Sequence, residues 1–324
     1  MSESPSSELT ATTPWLHRWA ILTALVTLPL VFLGAEVTTK QVGMVDPAWP
    51  TAPWYLFGIS WADKSIGFLI EHMHRLAGYA VGICMILLLV GLWRWEKRAW
   101  LRWLGVAALT GIVIQGLLGG ARVLLNIWFG TNLALIHGCF GQVVFALLVS
   151  LAICTSRHWA TVPVGSLPLE ETAGLRRWSL IVVGLLLMQL VLGAFLRHKD
   201  SVFAQRGHLL VAFAVVALIT WLGKVIHEHG SAGQGLGTAV AGLAILLGLQ
   251  LLLGVEAWMV RFASEPMAPG HWLWNRDLVR SAHVLLGSLL LATAVAIALE
   301  AHQRTLWAVV NSSVEATGRL EGAA

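Results

Sequence analysis

The sequence predicts an all-α integral membrane protein, with eight transmembrane helices forming two pseudo-symmetric four-helix bundles. Three observations lead there. The 324 residues are 57% hydrophobic and only 12% charged, against about a quarter charged in a soluble domain. Eight apolar stretches of about 20 residues each are long enough to cross ~30 Å of hydrocarbon as helices. Short residue patterns from the first half of the chain recur in the second.

Composition narrows the function classes. A mean hydropathy of +0.75 leaves too little polar surface to face water on all sides. Lipid is therefore part of the solvent, and spanning segments must satisfy their own backbone groups as helices. Seventeen tryptophans suit aromatic belts at two membrane interfaces. The net charge of +4 comes from basic residues scattered over loops, without a basic stripe interleaved with aromatics. Nucleic acid is excluded as a partner. Cys84, Cys139 and Cys154 lie singly in apolar stretches, which predicts neither a disulfide framework nor a zinc site.

The elements follow in order. The first stretch, 17–37, carries Leu30 and Gly34. An outer loop over 38–66 holds Trp49, Pro50, Pro53 and Trp54, as an interface lid or a headgroup anchor. The second stretch, 68–93, opens with Glu71, His74, Arg75 and Gly78. A connection with Arg94, Lys97, Arg98 and Arg102 leads to the third, 101–121, with Gln115 and Gly119. The fourth, 132–155, carries His137 and Gly141. The segment 156–177, with Pro163, Gly165, Ser166 and Pro168, reads as a linker that divides the chain into 1–160 and 161–324. Stretches five to eight run over 177–197 (Gln189, Gly193), 206–226 (His208, Ala212), 238–259 (Gln250, Gly254) and 280–301 (His283, Gly287). A second lid-like loop, 260–279, carries Pro266, Pro269, Trp272 and Trp274.

An even number of spans puts both termini on one side. The basic connection 94–102, and Arg157, Arg176 and Arg177 in the linker, lie on that side. The positive-inside rule makes it cytoplasmic. The N-terminal segment has no arginine before Arg18 and reads as neither a secretory signal nor a transit peptide. A bacterial plasma (inner) membrane is expected.

Two registers run through the spans. Odd helices share Gln-x-x-x-Gly, at Gln115, Gln189 and Gln250, with Leu30 to Gly34 in the first. Even helices share His-x-x-x-small near their outer ends, at His74, His137, His208 and His283. Positions i and i+4 share a helix face, so each histidine has a shallow slot beside it. A flat macrocycle can press into such a slot while the imidazole reaches its metal. Histidine is an axial ligand of haem iron, and ionisable groups at this depth are usually functional. His74 and His137 are predicted to serve one haem, and His208 and His283 a second.

Arg75, Arg206 and Arg280 lie within three residues of these histidines. They suit the anionic propionates of haem through bidentate pairing, or they snorkel to the interface. Glu71 distinguishes the halves, because its equivalents are Ala134, Gln205 and Arg280. A carboxylate there can take a proton or stabilise positive charge developing on a substrate; a salt bridge to Arg75 at i+4 is the other use open to it. The first half is therefore expected to perform chemistry and the second to hold a permanent haem. His72 points about 160° away from His74 around the helix and reads as interfacial. His198, His227, His229 and His271 read as solvated loop residues. Glu36 and Glu256 either line the sites or end their helices. Gln115, Gln189 and Gln250 are expected to hydrogen-bond between helices.

The segment Glu71-His-Met-His74-Arg75-Leu-Ala-Gly78 matches the Glu-x-x-His-Arg motif of haem A synthases. The loop Gly43-Met-Val-Asp46-Pro-Ala-Trp49-Pro50 resembles their first outer loop, and the segments around His137, His208 and His283 match the remaining family histidines. The resemblance runs from the first helix to the eighth. It implies oxidation of a ring methyl of haem O to a formyl group, giving haem A for haem-copper terminal oxidases, with haem O synthase upstream. It also implies that His74 and His137 bind haem O with Glu71 as the catalytic carboxylate, and that His208 and His283 bind haem b. Many bacterial members carry a cysteine pair in an outer loop; this sequence has none there. Two other classes use the same histidines less well. A bis-haem electron carrier acting on quinone does not need Glu71. A transporter, suggested by the internal repeat, would carry its polar residues at the midplane rather than at one face.

Overall fold

Residues 13–46, 48, 54, 57–58, 60–161, 169–228, 236–262 and 273–321 are described by the computed structural model. They form α1 (Pro14–Thr39), α2 (Ile66–Trp95), α3 (Ala99–Leu124), α4 (Asn126–Phe129), α5 (Thr131–Cys154), α6 (Arg157–Thr161), α7 (Leu169–Lys199), α8 (Val202–Glu228), α9 (Leu236–Phe262) and α10 (Leu273–Glu321). Eight of these (all but α4 and α6) contain stretches long and apolar enough to cross a membrane. Each expected span is present.

Local chemistry sets the ends. Pro14 opens α1, where its missing N–H is no loss. Ser65 caps α2 by accepting the Phe68 N–H at 3.2 Å. Gly130, at φ +51°, makes the turn between α4 and α5 that a residue with a Cβ would resist. Inside α1, Thr23 and Thr27 donate to the carbonyls of Trp19 and Thr23, each at 2.8 Å, which satisfies buried hydroxyls within the helix.

Two expectations shift. The lid read over 260–279 is shorter, since α9 runs on to Phe262 and α10 begins at Leu273. The α7–α8 connection is only Asp200 and Ser201, with Asp200 at φ +50°. In both places hydropathy ends before backbone hydrogen bonding does. Residues at a membrane interface are polar but remain helical.

In the first part of the chain α1 packs on α2 and α5, and α3 joins α2 to α5. In the second, α7 packs on α8 and α10, and α9 joins α8 to α10. Helix α10 also packs on α1 and α5, and α5 on α7. One buried cluster takes Leu16, Met85, Leu88, Leu101, Leu148 and Leu151 from α1, α2, α3 and α5. Another takes Leu186, Leu222, Leu243, Leu291 and Ile297 from α7 to α10. Both fill the end of their helices remote from the histidines. Between apolar helices in lipid the driving force is close packing rather than water exclusion. Gly91 illustrates this: a Cβ there would lie 2.5 Å from the Trp15 ring and 2.8 Å from Leu16.

Around its C-terminal end α1 also makes polar contacts with α7 and α10. Lys40 Nζ lies 2.6 Å from Asp277 Oδ2, and the hydrogen bond to Asp277 raises the Lys40 pKa. Thr39 Oγ1 is 3.3 Å from Ser281 Oγ. Arg197 donates to the Ala35 carbonyl at 2.6 Å and to Thr39 Oγ1 at 2.5 Å.

The turn from α2 to α3 rests on Glu96. Its Oε1 accepts from the Arg98 N–H at 3.0 Å and from Arg98 Nε at 2.9 Å. Its Oε2 accepts from Arg98 Nη2 at 2.9 Å. Burial acts to raise the Glu96 pKa, but the Arg98 contacts outweigh it and hold the group below 4.5. A depressed carboxylate pKa stabilises the fold above the unfolded value and loses that effect as pH falls through the folded one. Thermal unfolding in detergent checks this. Glu96→Gln should lower the midpoint by about 2 °C at neutral pH, and its loss of stability below pH 4.5 should be shallower than that of the wild type.

Candidate functional site

Each even spanning helix meets the odd helix before it through the same contact. His74 (α2), His137 (α5), His208 (α8) and His283 (α10) each lie against a glycine of α1, α3, α7 and α9, respectively. A Cβ at Gly34 would stand 2.8 Å from Cε1 of His74. At Gly193 it would be 3.0 Å from His208, at Gly254 3.1 Å from His283, and at Gly119 3.5 Å from His137. The glycines of the odd-helix register are therefore the positions that let imidazoles press against a neighbouring backbone.

The residue four before each glycine supplies the polar half of the contact. Nδ1 of His74 donates to the Leu30 carbonyl at 3.1 Å, and Nδ1 of His208 to the Gln189 carbonyl at 2.9 Å. A carbonyl only accepts, so the proton sits on Nδ1 and Nε2 keeps its lone pair. That is the tautomer a metal requires, and a hydrogen bond at the other nitrogen fixes the ring's orientation. The Gln115 amide donates to the His137 carbonyl at 2.9 Å, and the Gln189 amide to the His208 carbonyl at 2.8 Å. The Gln250 amide nitrogen lies 3.3 Å from Nε2 of His283. All three glutamines bond between helices, as expected.

The histidines come together in two pairs. Ring centroids of His74 and His137 are 6.4 Å apart, and those of His208 and His283 6.3 Å apart. Two imidazoles on opposite faces of one iron, with metal–nitrogen bonds of about 2 Å, place their centroids about 6 Å apart. Edge-to-face ring contacts fall in the same range. Spacing and glycine contact repeat in both pairs, and each pair has one ring Nδ1 hydrogen bond, at His74 and His208, while Nδ1 of His137 and of His283 is buried without a partner. Among the described residues no group of three or more His, Cys, Asp or Glu is placed to hold a bare metal ion. A pair of imidazoles suits a metal whose other ligands come from a macrocycle.

The first pair has a charged cluster beside it. Arg75 Nη2 donates to Glu71 Oε1 at 2.7 Å and to the Asp46 carbonyl at 2.6 Å. Arg75 Nη1 is 3.0 Å from Asp46 Oδ2. The Asp46 N–H donates to Glu71 Oε2 at 2.8 Å. The side chains of Glu71, Arg75 and Asp46 are 4%, 7% and 1% exposed, so these ion pairs are not screened by water. The i+4 salt bridge open to Glu71 from the sequence is thus formed.

His72 corrects the sequence reading. It is buried, not interfacial. Its ring stacks on Phe68 and meets Trp61 edge-on, and its Nδ1 lies 3.4 Å from Asp46 Oδ2. Asp46 belongs to the loop motif Gly43–Pro50, and nothing in that motif signals its contacts with Glu71, Arg75 and His72. Of the other predicted residues, Arg206 is exposed on α8 and Arg280 is half-buried on α10. Arg280, with Glu36 and Arg122, acts electrostatically on Arg197. His198 is half-buried at the end of α7 rather than in a loop, and His227 is exposed in the last turn of α8. Glu36 is buried 3.7 Å from Lys40, whereas Glu256 is exposed. His229 and His271 lie outside the described residues.

The glycine contacts order the expected effects of adding one methyl group. Gly34→Ala must displace His74, and should weaken haem binding in the first half about tenfold. Gly119→Ala meets ordinary van der Waals space and should leave it within about twofold. Haem titration of purified protein, followed by reduced-minus-oxidised spectra, checks both.

The chain is similar to known proteins along much of its length. A family model described as COX15-CtaA, cytochrome oxidase assembly protein, matches residues 51–207. A heme A synthase of Listeria monocytogenes serotype 4a is 26% identical over 211 residues, covering 62% of this chain and 67% of that protein. One from Geobacillus kaustophilus is 27% identical over 237 residues, covering 69% and 68%. One from Shouchella clausii is 31% identical over 143 residues, covering 42% and 44%. With eight candidate spanning helices and the Glu71–Arg75 motif, the chain is similar to haem A synthases over these stretches.

Proposed function

We propose that this protein oxidises a ring methyl group of haem O to a formyl group, producing haem A. The observation that carries the reading is the asymmetry between two otherwise matching histidine pairs. His74 and His137 have a buried carboxylate, Glu71, beside them; the corresponding positions for the other three histidines are Ala134, Gln205 and Arg280.

The two halves, 1–160 and 161–324, then act as a substrate domain and a redox domain. His74 and His137 hold haem O by its iron, and orient the macrocycle edge in the first half. Gly34 and Gly119 give the imidazoles room, and the Leu30 carbonyl keeps the His74 proton on Nδ1. Glu71 takes a proton from the reacting group or stabilises positive charge developing at the methyl carbon. His208 and His283 hold haem b in the second half. Bound there, haem b supplies one-electron redox chemistry at its iron. Arg206 and Arg280 pair with haem propionates; the third arginine proposed for that role, Arg75, holds Glu71 and Asp46 instead.

The membrane setting follows from the charge distribution. With both termini cytoplasmic, the basic connection 94–102 faces inward and both haem sites face outward in a bacterial plasma membrane. Haem O synthase is the supplier of substrate, and haem-copper oxidase assembly is the destination of the product.

Haem extraction and chromatography from cells supplying haem O tests the reading. Wild-type protein should yield haem A. Glu71→Ala should accumulate haem O or a partly oxidised product, with conversion about a hundredfold slower or worse. A wild-type protein that carries only unmodified haem b would instead be a bis-haem electron carrier.

A further inference from the structure

Asp46, from the segment joining α1 to α2, engages every polar atom it has. Its N–H donates to Glu71 Oε2 at 2.8 Å, and its carbonyl accepts from Arg75 Nη2 at 2.6 Å. Its Oδ1 accepts from the Ala48 N–H at 3.2 Å, which shapes the local turn. Its Oδ2 faces Arg75 Nη1 at 3.0 Å and His72 Nδ1 at 3.4 Å. Asp46 is 1% exposed and His72 0%.

These contacts fix more than the loop. The Glu71 carboxylate has two donors, one on each oxygen: Arg75 Nη2 on Oε1 and the Asp46 N–H on Oε2. One donor belongs to Asp46, and the other is held by the Asp46 carbonyl and carboxylate. His72 braces Oδ2, its own ring held between Phe68, at 5.4 Å and 17°, and Trp61, at 5.3 Å and 87°. The direction in which Glu71 presents its oxygens is therefore set by Asp46, 25 residues away in sequence.

We propose that Asp46, braced by His72, is a positioning residue for Glu71: it aims the carboxylate at the substrate edge through Arg75 and its own amide. The proposal rests on the synthase reading for what Glu71 does once aimed. The geometry also explains why an aspartate is needed. Asparagine would keep both backbone groups and the Oδ1 acceptor for Ala48. It would also place an amide N–H₂ against the guanidinium of Arg75, donor against donor.

The test uses purified full-length protein with haem O supplied. In Asp46→Asn, kcat should fall about tenfold or more, with KM for haem O within about twofold and the reduced-minus-oxidised spectra of both haems unchanged. Isotope-edited infrared spectra should show the Glu71 carboxylate stretch, identified by its absence in Glu71→Gln, at a shifted frequency. His72→Phe, which keeps the stacked ring but loses Nδ1, should show a smaller shift in the same direction. A wild-type kcat and an unshifted band in Asp46→Asn overturn the proposal. So does loss of the haem spectra along with the rate, because Asp46 is then only a structural staple. If wild-type protein makes no haem A and the band still shifts in Asp46→Asn, the positioning role is supported and the synthase reading is the one that fails.

Discussion

An imidazole inside an apolar helix bundle needs a hydrogen-bond partner for the nitrogen it does not use, and nothing in the lipid can provide one. The odd helices answer that need by position. Four residues before Gly34 and Gly193, the backbone of α1 and α7 turns a carbonyl toward Nδ1 of His74 and His208, while Nδ1 of their partners His137 and His283 stays buried without one. The glycine itself removes the Cβ that would push the ring away. The rest of the site depends on this interlock. It sets the tautomer and ring plane of one histidine in each pair, and the two pairs have nearly the same ring separation.

On top of that repeated frame lies a single unrepeated feature. Glu71, Arg75, Asp46 and His72 form a buried charged cluster beside the first histidine pair, and among the described residues no such cluster lies beside the second. Breaking a buried ion pair by removing one partner costs about 3–5 kcal/mol, so the cluster is robust as long as all its members are present. Such clusters contribute little net stability compared with well-packed apolar residues of the same size. Placement of the Glu71 carboxylate, rather than a contribution to folding, is therefore the role that the cluster's geometry suits. On the proposed function, the frame would hold a flat cofactor in either half, and the cluster would give one half a reactive group.

Much of this was legible in the sequence because it is local. Eight spans follow from length and hydropathy, and the helix ends differ by a few residues from those of the apolar stretches, as at Phe262 and Leu273. The Gln-x-x-x-Gly and His-x-x-x-small registers are i, i+4 relations, so they survive as patterns along one helix. That they interlock, glycine of one against histidine of the next, is a relation between helices and became visible only in three dimensions. His72 shows the limit most clearly. Its angle around α2 places it off the His74 face, and on an isolated helix that would put it at an interface. Asp46 and the aromatic rings of Trp61 and Phe68 cover it instead. A helical angle carries no information about a preceding loop that folds back over the helix.

The placement of Asp46 also bears on how the site relates to the outside of the membrane. The segment after α1 turns back at once, with the Val42 N–H donating to the Val37 carbonyl at 3.0 Å. Gly43 then passes against the guanidinium of Arg122 at the end of α3, where a Cβ would collide with it, and Val42 rests on Gly67 at the start of α2. The segment is thus fastened to α2 and α3 before it reaches Asp46. The same helix that ends in it supplies the Leu30 carbonyl and Gly34 to His74, and through Thr39 and Lys40 touches Ser281 and Asp277 on the helix that carries His283. Helix α1 therefore contacts the first histidine site, the strap over Glu71 and the element bearing the second site. A displacement of α1 along its axis would alter all three at once, which makes it, beside the packing of α5 on α7 and α10, a structural link between the two parts of the chain.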